Sequence, residues 1–252
     1  MPRYFLQLAY RGEPFHGWQR QPNAISVQQV IEEALSTVMR CPTAIVGAGR
    51  TDTGVNARRM FAHFDTEYPI ENPASLLRGL NNLVGRDIAL ERIIPVADDA
   101  HARFDATSRT YHYYAVPAKT PFFHALSWQA PATLDYDLMN EAAKLLLTTD
   151  DFTSFAKLHT DTRTNICRVT HAEWHKVGNT DARVFIITAD RFLRNMVRAV
   201  VGTLVDVGRH KLSVEQFRQV IDARNRCQAG TSMPPQALYL WDVTYPYIAA
   251  EP

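Results

Sequence analysis

The stretch GAGRTDTGVNARRMFAHFD, residues 47–65, decides how the chain is read. Its first half sets Gly47, Gly49 and Gly54 around one carboxylate, Asp52, with Thr51 and Thr53 on either side and Arg50 two residues earlier. Its second half is a run of apolar and arginine residues of strand character. Glycine-rich turns between such runs join strands, so two strands are expected, over about 43–48 and 57–66, with Asp52 in the turn. On the N-terminal side, Ser26-x-x-Gln29 is a capping-box signature. Val27, Val30, Ile31, Ala34, Leu35 and Val38 then recur at helical spacing. Before them, YFLQLAY (4–10) reads as a strand, and the polar loop RGEPFHGWQRQPNA carries Phe15 and Trp18. On the C-terminal side a helix is expected over about 73–84 and a strand over IALERIIPV, 88–96. The order is β-α-β-β-α-β.

The second half repeats it. TYHYYAV (110–116) is strand-like, and a helix over about 135–148 turns Leu138, Ala142, Leu145 and Leu146 inward. ICRVTHAEWHKV and ARVFIITAD give two strands joined near Gly178-Asn179. Helices follow over about 191–207 and from Ser213, and ALYLWDVTY (237–245) is the last strand. The spacing therefore predicts an α+β chain of two ferredoxin-like β-α-β-β-α-β halves. A boundary near HARFDATS divides it into 1–105, which carries the Asp52 loop, and 106–252.

Composition narrows the function class. With 46% hydrophobic residues the chain can build a core. The formal charge of +1 gives no basic tail, so any polyanion surface has to be made by folding. Only five of the 27 basic residues are lysine, and the arginine fork suits phosphate and base edges. Cys41, Cys167 and Cys227 are widely spaced and odd in number, a reduced pattern without a disulfide frame. The opening residues turn polar too early for a signal peptide, and no apolar run reaches membrane length. A cytoplasmic protein with no membrane segment is expected.

Known enzyme signatures fit the chain poorly. An aspartic protease needs a second Asp-Thr-Gly or Asp-Ser-Gly, and none occurs unless a homodimer supplies it. Gly47-x-Gly49 lacks the third glycine of a dinucleotide loop. His171-Ala-Glu173 begins like a zinc deaminase motif but has no Pro-Cys-x-x-Cys, so no metal site is expected. Asp52 beside Arg50 is then either a salt-bridged turn or an ionised catalytic acid. In RFLRNMVRAVVG, 191–202, Arg191, Arg194 and Arg198 fall at i, i+3 and i+7 and would share a helix face. Alternation in SRTYHYYAV sets Tyr111 and Tyr113 on one face of a strand and His112 and Tyr114 on the other. Such tyrosines are either core residues or a stacking platform for unpaired bases.

Taken in order, five motifs resemble the tRNA pseudouridine synthase A family: YRGEPFHGWQRQ (10–21), GRTDTGVNA (49–57), RTY (109–111), FLRNMVR (192–198) and LYL (238–240). The resemblance implies one extended mixed or antiparallel sheet with helices on one face. It implies isomerisation of uridine to pseudouridine at positions 38 to 40 of the tRNA anticodon arm. It makes Asp52 the catalytic aspartate and Tyr111 the residue packed on the base. Arg198 becomes the aspartate's partner, Arg50 lies in the same motif, and Leu238 is an apolar wall. It further implies a homodimer that needs neither metal nor organic cofactor. Arg20, Arg58, Arg59, Arg191 and Arg194 are the candidates for the RNA backbone. The alternatives are a non-catalytic RNA-binding protein and, more remotely, a homodimeric aspartic protease. The family's histidine after Gly-Val is Asn56 here, which hydrogen-bonds but carries no proton at neutral pH.

Overall fold

The computed structural model describes residues 1–157 and 164–249, which fall in two compact units. The first comprises Met1–Thr107 and Leu240–Pro252, the second Ser108–Tyr239. The element order is the doubled β-α-β-β-α-β expected from the sequence, and the class is α+β.

The first unit holds β1 (Arg3–Tyr10), α1 (Val27–Met39), β2 (Val46–Gly47), β3 (Asn56–Asp65), α2 (Pro73–Asn81) and β4 (Ile88–Val96). β1 runs antiparallel to both β3 and β4, so Leu6 lies opposite Ala62 on one side and Ile93 on the other. That central position explains why β1 is apolar on both faces: Phe5, Leu6 and Leu8 are all fully buried. Phe5 and Phe61 meet the ring of Tyr245 edge-on at 5.1 and 5.2 Å. α1 starts as its sequence requires, with Ser26 Oγ accepting the Gln29 N–H at 3.3 Å. The return half of the capping box is replaced, because the Gln29 amide donates to Glu33 at 2.9 Å. The strand expected over 43–48 shrinks to Val46–Gly47 for a related reason. The Thr43 N–H goes to Ser36 Oγ and the Ile45 N–H to Glu32 Oε1, so α1 side chains take donors that a ladder would use.

The second unit holds β5 (Ser108–Val116), β6 (Trp128–Gln129), α3 (Tyr136–Lys144), β7 (Val169–Lys176), β8 (Arg183–Ala189), α4 (Met196–Gly208) and α5 (Val214–Asp222). β9 (Leu238–Thr244) carries the chain back to the first unit. The order is β5-β8-β7, antiparallel throughout, with the unexpected β6 parallel to β5, so the pairing is mixed. Tyr113, Phe185, Ile187 and Trp174 share the buried face. α4 is apolar apart from Arg198, Thr203 and Asp206 and is buried almost throughout, as such a helix must be. α5 carries a complete capping box between Ser213 and Gln216.

Two expected helices change. The helix over 135–148 ends at Lys144, and Leu145–Thr148 tightens into a 3₁₀ turn. The helix expected from residue 191 begins only at Met196, because Asn195 takes a left-handed backbone at φ 65°. Left-handed backbone cannot continue a right-handed helix. Arg191 and Arg194 therefore do not share a helix face with Arg198, contrary to the i, i+3, i+7 spacing. Among the described residues no helix is long and apolar enough to cross a membrane.

Candidate active site

The residues singled out from the sequence form two sets, one in each unit. In the first unit the Asp52 turn is built from three directions. Trp18 donates its backbone N–H to the Thr51 carbonyl at 3.2 Å, and the Tyr10 hydroxyl meets Thr51 Oγ1 at 2.8 Å in a buried contact. The Val55 N–H closes the turn onto the Asp52 carbonyl at 3.1 Å. Gly54, at φ 78°, supplies the positive dihedral that this closure needs at its third residue. Below the turn, the Gly12 N–H donates to Asn56 Oδ1 at 2.8 Å. A side chain at residue 12 would bring its Cβ to 2.2 Å from the Val55 carbonyl oxygen, so only glycine lets the 10–18 loop approach. The motifs YRGEPFHGWQRQ and GRTDTGVNA are thus one packed structure. Thr51 and Asn56 are buried, Asp52 is half-buried and Thr53 is exposed.

The arginines near this turn divide by what they face. Arg50 is exposed and forms no ion pair among the described residues. Arg20 pairs with Glu32 at 3.2 Å, Arg58 with Glu91 at 2.9 Å and Arg59 with Asp242 at 3.3 Å. Each of these pairs offsets one positive charge on its side of the turn.

In the second unit Tyr111 is half-buried, opposite Ile187 on β8, and the ring of Phe192 meets it edge-on at 4.9 Å. Tyr113, on the same face, belongs to the core. It is fully buried, its hydroxyl donates to the Pro234 carbonyl at 3.2 Å, and burial pushes the phenol well above its ordinary range. Arg198, in the first turn of α4, is clasped to Met233 in both directions. Its Nε donates to the Met233 carbonyl at 2.5 Å, and the Met233 N–H donates to the Arg198 carbonyl at 3.1 Å. Leu238 is buried at the start of β9, just after a 3₁₀ turn at Pro235–Ala237. Arg191 and Arg194 lie on the segment leading into α4. The Arg191 N–H donates to Asp190 Oδ1 at 2.7 Å, and the Arg194 carbonyl accepts the Lys157 N–H at 3.0 Å.

Several participants were not read from the sequence. Phe192 packs on Tyr111. The Asn195 amide and Arg226 both donate to Ser232 Oγ, at 2.6 and 2.8 Å, and so tie the start of α4 to the 229–233 segment. Gly202 marks that approach, since a Cβ there would lie 1.8 Å from the Thr231 carbonyl oxygen. The available signal was the run GTSMP, 230–234, with Gly202 in the middle of an apolar helix.

A family model described as tRNA pseudouridine synthase matches residues 142–246. Of curated relatives, tRNA pseudouridine synthase A of Parabacteroides distasonis is 58% identical over 98% of this chain and 97% of its own length. The protein of that name from Porphyromonas gingivalis is 55% identical over 98% of both chains. The one from Colwellia psychrerythraea is 41% identical over 97% of this chain and 94% of its own. Identity at this level along nearly the whole length means that the chain belongs to the tRNA pseudouridine synthase A family.

Proposed function

We propose that this chain isomerises uridine to pseudouridine in the anticodon stem-loop of tRNA, at positions 38 to 40, with Asp52 as its catalytic carboxylate. The observation that carries this reading is the turn itself: a half-buried acid on a backbone fixed by Tyr10, Gly12, Trp18 and Asn56. A nucleophile or base must be held still, and these anchors fix the backbone on both sides of Asp52.

The reaction breaks the N1–C1′ bond, turns the uracil and joins C5 to C1′. The C5 proton is lost and N1 gains one, so the base is conserved atom for atom and no electrons are exchanged. Asp52 acts at the sugar, at C1′ or C2′. Tyr111, braced by Phe192, packs on the base, and Leu238 forms an apolar wall for the detached uracil. Arg198, held by Met233, supplies a fixed positive charge for the reaction. Flipping the nucleoside out of its stack costs a few kcal/mol, which contacts to the RNA backbone offset. Those contacts come from Arg50, Arg20, Arg58, Arg59, Arg191 and Arg194. The enzyme works as a homodimer in the cytoplasm.

Tritium release from tRNA labelled at uracil C5 tests this directly. The wild-type chain should release one tritium per target uridine. Asp52→Ala should bind tRNA within about 3-fold of wild type yet lose more than ~10³-fold in turnover. Binding by the wild-type chain with no release would leave an RNA-binding protein without catalysis.

A further inference from the structure

On β7, the end strand of the β5-β8-β7 order, His171, Glu173 and His175 alternate with inward residues and so project from one face. Their donor atoms all lie within 4.8 Å of one another. Sheet geometry alone does not produce this. Residues four apart in a strand are about 13 Å apart along the backbone, yet the two imidazole rings stand 5.7 Å apart and nearly parallel, at 8°. Both rings lean inward over Glu173, whose Oε2 is 3.4 Å from His175 Nε2. The Glu173–His175 contact accounts for one of these rings and leaves the lean of His171 unexplained. Both imidazoles are half-buried and the carboxylate is exposed, so an ion can reach them from solvent. Across the ladder on β8 they face Thr188, Ile186 and Val184.

We propose that His171, Glu173 and His175 form a binding site for a divalent transition metal of the zinc class. Two imidazoles and one carboxylate match the donor preferences of zinc and its neighbours, and two nitrogen donors disfavour magnesium and calcium, which take oxygen. Three protein ligands leave at least one coordination position for water. A cation there pins residues at both ends of a five-residue span of an end strand. End strands are where a sheet is open to unwanted pairing. None of the three residues is assigned to the uridine reaction, so the site stands or falls independently of it.

The test uses the full chain, stripped with a chelator and titrated with zinc chloride by calorimetry at neutral pH, with cobalt(II) visible absorption as a second readout. One equivalent should bind, and cobalt should give the intense bands of a low-coordinate site. The double change His171→Gln with His175→Gln keeps side-chain volume and hydrogen-bonding capacity. It should weaken binding at least ~100-fold, and Glu173→Gln about 10-fold, with metal-free circular dichroism spectra and tritium release unchanged. No saturable equivalent on the wild-type chain overturns the proposal. So does a glutamine pair that binds zinc as tightly as wild type, because the ion is then held elsewhere.

Discussion

Two segments carry the residues assigned to the reaction, and they are held in place by opposite means. The turn around Asp52 is fixed by short polar contacts to a loop lying about forty residues earlier, and two of them have a visible cause in their own motif: a glycine without a side chain and a tyrosine hydroxyl. The segment before α4 is fixed from a distance. Its left-handed Asn195 bonds Ser232, 37 residues on, and Arg198 exchanges two hydrogen bonds with Met233. The first is a local structure whose residue types announce its shape. The second would read as an unbroken helix from residue 191 if only its own residues counted. A helix start is set by where the backbone leaves right-handed geometry, and here that choice belongs to a partner far along the chain.

After Asp52→Ala itself, the largest expected effect tests whether the two segments serve one reaction. Arg198→Met should lower kcat/KM about 100-fold, as loss of a charged group at a reacting centre does. Combined with Asp52→Ala it should cost no more than Asp52→Ala alone, because residues acting as a unit are non-additive. Fully multiplicative losses in tritium release would separate the two segments functionally.

A second expectation compares the units through a histidine in each, His63 buried and His112 half-buried. Burial first, then the charges of Arg3 and His101, lowers His63 from 6.5 to about 4, and its Nδ1 accepts the Ala102 N–H at 3.1 Å. Burial first, then His175 and His171, lowers His112 to about 4. A depressed histidine favours the neutral folded form. Its contribution is complete above pH 6.5 and is lost as pH falls from there toward 4, where the unfolded chain takes up a proton that the folded chain refuses. Each site should contribute a slope of at most ~1.4 kcal/mol per pH unit, and solvent screening of these partly exposed imidazoles holds its total to roughly 1–2 kcal/mol over the window. Urea denaturation across this range should show the slope falling by one proton in His63→Gln while the His112 share persists.

Of similar size, Gly12→Ala should cost about 2 kcal/mol in urea denaturation, since the Val55 carbonyl has to move and carry the Asp52 turn with it. An unchanged midpoint would mean that the 10–18 loop does not brace the turn. The smallest change is Asn195→Gly, which keeps the left-handed backbone and deletes only the bond to Ser232. About 1 kcal/mol is expected, and Asn195→Ala should cost more because alanine disfavours positive φ.

Residue order alone determined the doubled β-α-β-β-α-β plan, β4 to the residue, the Ser26 and Ser213 starts of α1 and α5, and the Asp52 turn, because each rests on periodicity of 2 or 3.6 or on glycine and cap chemistry within a few residues. Tertiary structure decided what such signals do not contain. It truncated β2 by diverting backbone donors to Glu32 and Ser36, moved the start of α4 to Met196, and sank Tyr113 into the core while leaving Tyr111 half-buried against Phe192. It also drew His171 and His175 together over Glu173, although their spacing along a strand would keep them far apart. The reason is common to all of these. Local patterns state which conformations a segment tolerates, and long-range hydrogen bonds and packing choose among them.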